Sequence, residues 1–367
     1  MLKISDILKK AKVRKNKEGG GPSPKPAVPE SSKAPESKKA EIARRVKKHP
    51  PEDTLPKKSS GKEKAVPVLP IDSDEAIGKY ETAIALLKDI MEPLAEKRDD
   101  LIDAADNLIE NIIELLKKDD SALMGLFFRD YEVLKEYVYQ HSINVCVLAL
   151  RIGLNLECDF GHLKKLGMAA LLHDLGQLKF ESLVNKPRKL EQSEYEKIKS
   201  HPAVGRDILK KFARKLDLKI LDVIYQEHER INGTGYPQGL SKDMIADDAK
   251  LIGMVDVYEA LVHSRPHRSK FGGHEAIQMI IKEKSSFEYN LIKVLIDTIG
   301  LFPLGTLVEL NTKEIGIVVN QNPKMPLKPI IDITHNINKQ KLSKPKRVDL
   351  SKNYAIYIKQ CFDELQD

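Results

Sequence analysis

From Ser73 to about Glu283, apolar residues recur at spacings of three and four in a series of segments, a periodicity that predicts helices. It runs through EAIGKYETAIALLKDIMEPL, LIDAADNLIENIIELLKK, DYEVLKEYVYQHSINVCVLALRIGL and GHLKKLGMAALLHDLG. It continues in EQSEYEKIKSH, VGRDILKKFARKL, LDVIYQEHERI, AKLIGMVDVYEALV and GHEAIQMIIKE, with no internal repeat. The period becomes two only in GTLVELNTKEIGIVVNQN, around the polar turn Asn311-Thr312-Lys313, which predicts a small hairpin. The expected fold is therefore all-α, a helical bundle with a small C-terminal β-hairpin extension.

Residues 1 to 70 are of another kind. They hold 19 Lys and Arg against 8 Asp and Glu, 10 of the 20 prolines, and no Phe, Tyr or Trp. Such a stretch cannot bury enough apolar surface to offset the entropy of ordering it, so residues 1–72 are expected to form a disordered basic tail. Within it, residues 1–13 place Ile4, Ile7, Leu8 and Ala11 on one helical face with lysines around it. That pattern suits either a short helix formed against a membrane or partner, or a disordered terminus. The chain carries +7 overall, and the tail holds more than all of that excess. The rest is acidic, which argues against a DNA-binding body. Three cysteines, Cys146, Cys158 and Cys361, form no paired framework, and no apolar run is long enough to span a bilayer. A reducing, cytoplasmic setting is expected, with a peripheral tether through the tail to an anionic membrane surface or a protein complex as a further expectation. Residues 73–134 lack chemistry-bearing motifs and read as a regulatory or dimerisation module, or as helices that complete the bundle. Residues 135–300 carry the motifs, and residues 301–367 the hairpin extension and terminal segment.

The motifs combine imidazoles with acids. His141, His173 beside Asp174, His201, and His228 between Glu227 and Glu229 fall in helical or helix-end segments, and Asp256 sits inside the apolar AKLIGMVDVYEALV. A carboxylate in an apolar stripe is costly unless paired or coordinated, so Asp256 asks for a cation. Imidazole nitrogen with carboxylate oxygen suits iron, manganese or zinc, whereas a structural zinc site normally shows cysteines. A carboxylate can bridge two ions about 3.5 to 4 Å apart, and Asp174 is the natural bridge. Taken singly, each residue reads more readily as a hydrogen-bonded core His or a paired Asp; their spread over five helices is what points to a metal site.

The ordered series HSINV from His141, HDLGQ from His173, NKPRKL from Asn185, HPAVG from His201, EHERINGTGYP from Glu227 and DVYEALVHSRPHR from Asp256 resembles the HD-GYP family. This family is the subgroup of helical HD-domain metallohydrolases that cleave cyclic di-GMP, and the resemblance runs from about Glu136 to Lys284. It implies a bacterial signalling phosphodiesterase that takes two divalent metal ions, Fe or Mn, and yields pGpG or GMP. By the same resemblance His141, His173, Asp174, His201, Glu227, His228 and Asp256 hold metal. Asp174 and Gln177 occupy catalytic positions, while Gly235, Tyr236, Arg265 and Arg268 contact substrate. Two guanidiniums three residues apart could grip a phosphodiester oxygen in forked geometry; solvent-exposed helix-end arginines would look the same. Implied partners are cyclic di-GMP, a diguanylate cyclase-type or other signalling protein, and a second copy of the chain.

Several positions depart from the family. Gln177 stands where a Lys is usual, and an amide cannot donate a proton as an acid. Glu227 replaces one imidazole, and Tyr137 stands where trinuclear members have Glu, so two metals at most are expected. Asn232 in the signature loop and Glu259 in DVYEAL are milder changes. Losing one catalytic donor typically costs about 10² to 10⁴ in rate. The alternative expectation is thus a catalytically degenerate member that binds cyclic di-GMP or a protein partner.

Overall fold

The computed structural model describes residues 74–92, 100–118, 120–128, 137–212, 214–322 and 325–362. The expected tail, with its amphipathic first segment, lies outside the described residues. Everything described below falls within Glu63–Asp367.

The helices follow the periodicity. They are α1 (Asp74–Met91), α2 (Asp100–Lys118), α3 (Asp120–Phe127), α4 (Tyr137–Asn155), α5 (Phe160–Leu172) and the single turn α6 (Glu181–Val184). Then come α7 (Gln192–Ile198), α8 (His201–Leu209), α9 (Leu218–Gln226), α10 (Asp247–Val262), α11 (Gly273–Lys282) and α12 (Tyr289–Ile299). Apolar spacing decides which face each one buries. In α2, Leu101, Ile102, Ala105, Leu108, Ile109, Ile112, Ile113 and Leu116 form one buried stripe, while Asp100 and Asp103 favour its N-terminus and Lys117 and Lys118 its C-terminus. α4 and α10 are buried on almost every side and form the axis of the bundle. α4 packs against α1, α3, α5, α10 and α12.

Ends and close approaches fix the geometry. The Asp159 side chain caps α5 by accepting the His162 N–H at 2.8 Å, and Asp217 caps α9. Gly253 of α10 lies so near the end of α9 that a Cβ there would stand 2.0 Å from the Glu227 carbonyl oxygen. Only a residue without a side chain lets these two elements meet.

The C-terminal part is larger than a hairpin. β1 (Leu307–Leu310) and β2 (Ile315–Asn320) form the expected hairpin, with Leu307 opposite Ile317 and Lys313 in the left-handed region at φ 69° in the turn. β3 (Ile330–His335), β4 (Lys341–Asp349) and β5 (Ile358–Phe362) extend it to an antiparallel sheet in the order β4-β3-β2-β1-β5. Val308, Leu310, Val318, Ile331, Ile333 and Leu350 make a core of its own. Phe302 joins sheet to bundle: its carbonyl accepts from Gln321 at 2.6 Å and its ring stacks on His274 of α11. All three cysteines are free thiols, and no helix among the described residues is long and apolar enough to cross a membrane.

Candidate metal centre

Five helices deliver seven ligand-type side chains to one buried place. His141 projects from α4, His173 and Asp174 follow the last turn of α5, and His201 opens α8. Glu227 and His228 follow α9, and Asp256 lies in the third turn of α10. Their donor atoms form two groups: His141, His173 and Asp256 in one, and Asp174, His201, Glu227 and His228 in the other. Asp174 faces both. Its Oδ2 is 3.4 Å from His141 Nε2 and 3.5 Å from His173 Nε2, and its Oδ1 is 3.2 Å from His201 Nε2. Asp256 also reaches across, with Oδ1 3.2 Å from His141 Nε2 and Oδ2 3.7 Å from His228 Nδ1.

The hydrogen-bond partners show which ring nitrogens face the centre. His173 donates Nδ1–H to the Ala170 carbonyl at 2.8 Å, and His201 donates Nδ1–H to Ile198 at 2.9 Å. A neutral imidazole donating through Nδ1 keeps a lone pair on Nε2. Yet His173 Nε2 faces His141 Nε2 at 3.3 Å, and His201 Nε2 faces His228 Nε2 at 3.2 Å. Ring nitrogens that converge on each other and on carboxylates call for positive charge between them, which protons on His141 and His201 or a bound cation would supply. The buried Glu227 Oε2 has no hydrogen-bond partner, as expected of an oxygen reserved for an ion. Burial works to lower the pKa values of His141 and His201, but for His141 the Glu259 and Asp256 carboxylates, and for His201 Asp174 and Glu227, outweigh it and push both up to about 10. Burial would raise Asp174, but the imidazoles of His173, His201 and His141 hold it well below the carboxylate range. The donor set therefore fits hard or borderline divalent ions.

Around this centre, Gln177 donates through Nε2 to Asp174 Oδ1 at 2.6 Å. Tyr236 stacks on His228 with ring centroids 4.7 Å apart. Gly235 packs its Cα against the backbone of His228, Glu229 and Arg230, leaving no room for a side chain. Glu229 holds the loop by accepting the Gln238 and Leu240 N–H groups at 2.7 and 2.8 Å. Arg265 and Arg268 close a tight turn after α10 and part company there. Arg265 stacks on Tyr137 and stands 3.8 Å from Glu259, beside His141. Arg268 turns away from the centre to the carbonyls of Ala260, Leu261 and Ser269.

Two buried residues next to the ligands had no role assigned from the sequence, Asn144 and Glu259. Glu259 Oε2 accepts from His141 Nδ1, and Asn144 Nδ2 donates to Glu259 Oε1 at 3.0 Å. The available signal was their position three residues after His141 and Asp256, polar groups on the same face of helices that are otherwise apolar.

A helical bundle with imidazoles and carboxylates from five helices around a shared Asp defines a metal-dependent domain of the HD class. The HD domain profile matches residues 91–291, and a KOW domain associated with HD domains matches residues 307–366. The chain belongs to the HD domain family. Similar proteins include a cyclic di-GMP phosphodiesterase of Pseudomonas aeruginosa, 30% identical over 62% of this chain and 55% of the relative. Another is the cyclic di-GMP phosphodiesterase PdeB of Borreliella burgdorferi, 28% identical over 54% of each chain. A 3′3′-cGAMP-specific phosphodiesterase of Vibrio cholerae is 33% identical over 41% of this chain and 35% of its own. The chain thus spans about half the length, or less, of these relatives. Among solved structures, an HDG"Y"P protein from Bdellovibrio bacteriovorus superposes with a TM-score of 0.52 at 18% identity, covering 65% of this chain and 73% of that one, a likeness of fold.

Proposed function

We propose that the protein is a metal-dependent phosphodiesterase that hydrolyses cyclic di-GMP to pGpG or GMP. The observation that carries this reading is Asp174, whose two oxygens each face a separate buried group of ligands. His141, His173 and Asp256 would hold one ion and His201, Glu227 and His228 the other, with Asp174 shared. Two iron or manganese ions, when bound, supply Lewis acidity towards a phosphoryl oxygen and activate water near neutral pH.

The chain's own groups bind and orient the substrate. Arg265 is assigned the phosphate contact: stacking on Tyr137 and the nearby Glu259 carboxylate fix the plane of its fork. Arg268, tied to three carbonyls, is assigned to hold the turn that presents Arg265. Tyr236 on its Gly235 loop is assigned the purine or ribose, since its ring is already aligned by His228. Gln177 orients Asp174 and carries no acidic proton, so protonation of the leaving 3′ oxygen falls to solvent.

That same hydrogen bond favours a second reading, a binding module whose output is occupancy by the dinucleotide. One experiment separates the two. Manganese- or iron-loaded protein is incubated with cyclic di-GMP and, in parallel, with 3′3′-cGAMP, while calorimetry measures binding. Linear product that disappears in the His173→Ala, Asp174→Ala double variant supports the enzyme; tight binding without product supports the module. Turnover of 3′3′-cGAMP alone would reassign the substrate. Product from wild type and double variant alike would reject the site assignment.

A further inference from the structure

A chain of hydrogen bonds leaves the candidate metal centre and ends on the first described helix. His141 lies with Nε2 towards Asp174 and Asp256 and with Nδ1 against Glu259 Oε2. Asn144 donates through Nδ2 to the other oxygen, Oε1, at 3.0 Å. The Asn144 amide oxygen in turn accepts from the Tyr80 hydroxyl, and Tyr80 belongs to α1, 64 residues upstream. His141, Asn144 and Glu259 are all at most 1% exposed. α1 packs on α4 and buries Ala83, Leu87, Ile90 and Met91.

Each link fixes the next. A carboxylate on Nδ1 keeps the proton there and turns Nε2 to the centre, so that Nε2 is the nitrogen an ion would take in place of a proton. Arg265 lies farther from Nδ1, at 3.4 Å, than the carboxylate does. An amide can serve Glu259 only with its nitrogen turned that way, and the Tyr80 hydroxyl reinforces that orientation by donating to the amide oxygen. A flipped Asn144 would set oxygen against carboxylate.

We propose that Tyr80, Asn144 and Glu259 are positioning residues for His141, and that through them α1 sets the metal affinity of the group formed by His141, His173 and Asp256. The α1 helix is then a lever on that group and not on the one formed by His201, Glu227 and His228. The inference rests on the assignment of these groups as metal sites.

The test titrates metal-depleted full-length protein with Mn²⁺ and resolves the two affinities. Glu259→Gln is expected to weaken one of the two sites about 10- to 100-fold, the usual cost of losing the partner of a ligating His, and to leave the other within about threefold. Tyr80→Phe, which removes one hydroxyl from a half-buried position, is expected to weaken the same site several-fold. In the Glu259→Gln background it should add almost nothing, because both act through one chain of contacts. Should Glu259→Gln fail to fold, Tyr80→Phe against wild type still decides. Two tight sites unchanged by Tyr80→Phe, equal weakening of both sites, or simple additivity would overturn the relay while leaving the metal sites standing. Wild-type protein that takes up no ion would overturn the ligand assignment and the relay together.

Discussion

Asp174 and Glu227 are both buried carboxylates within reach of His201, yet their positions give them unequal weight. Asp174 serves both ligand groups, whereas Glu227 lies in one. Asp174→Ala should therefore empty the whole centre, and Glu227→Ala should leave the ion held by His141, His173 and Asp256. Metal analysis should read close to zero ions per chain for the first and close to one for the second. Hydrolysis should fall by about 10² to 10⁴ or more for Asp174→Ala. Equal losses for both variants would show that Asp174 is no bridge. At this scale the ligand types were legible in the sequence, because an Asp inside an apolar helix and an HD pair at the end of an apolar run are anomalies of composition. The direction of a guanidinium was not legible. Arg265 and Arg268 look equivalent in sequence, and only the tight turn that joins them sends one to the centre and the other to backbone carbonyls.

Between elements, the spacing of α9 and α10 is set where Gly253 meets the Glu227 carbonyl. Gly253→Ala puts a methyl against backbone that cannot rotate away, so one of the two helices must shift. A cost of about 1 to 3 kcal/mol is expected from such overpacking. The shift falls on Glu227 and His228 first, so thermal unfolding of the metal-free variant should be lowered and one ion lost, with the His141 group retained. A second contact ties the starts of α5 and α10, where His162 Nε2 and Asp248 Oδ1 are 2.9 Å apart. The hydrogen bond to Asp248, against the opposing effect of burial, raises the His162 pKa above its ordinary value. A raised folded-state pKa stabilises fully below the unfolded value of about 6.5, and the gain is lost as pH climbs through the folded value. His162→Gln should thus cost about 1 kcal/mol near pH 5.5, roughly 2 °C in midpoint, and the cost should shrink as pH rises through the raised folded-state pKa. A pH-independent difference would mean that packing, not charge, joins the two helices. Long amphipathic helices such as α2 were readable from spacing alone. α3 and α12 were passed over, and so were β3, β4 and β5. β4 reads KLSKPKRVD, an edge strand whose lysines and proline discourage further pairing and hide any apolar alternation. β5 pairs with β1 some fifty residues back in the chain, a contact that no local pattern reports.

Across the whole molecule, charge is divided by region. Residues 71–306 hold 32 Lys and Arg against 39 Asp and Glu, while the sheet region, residues 307–362, holds 10 against 4 and residues 1–70 hold 19 against 8. An acidic body would repel the proposed dianionic substrate only within the Debye length of about 8 Å at physiological salt, so under that reading capture would rest on groups at the site itself, Arg265 among them. Of the two basic regions the tail carries the larger excess, and near an anionic lipid surface its basic side chains would each be worth about 1 kcal/mol. In the sheet, Arg347 is already paired with Asp332 and Lys359 with Glu309, which leaves less of its charge for an outside partner. A chain beginning at residue 73 should therefore bind metal and hydrolyse substrate with constants within about twofold of the full chain, because every ligand and every member of the relay is retained. The full chain should sediment with vesicles rich in phosphatidylserine at 50 mM salt and leave them at 500 mM, whereas the shortened chain should stay in solution at both. Equal sedimentation of the two would move the surface-seeking charge from the tail to the lysines of β4, and a loss of metal binding on shortening would mean that the tail helps to hold α1, and with it Tyr80, in place.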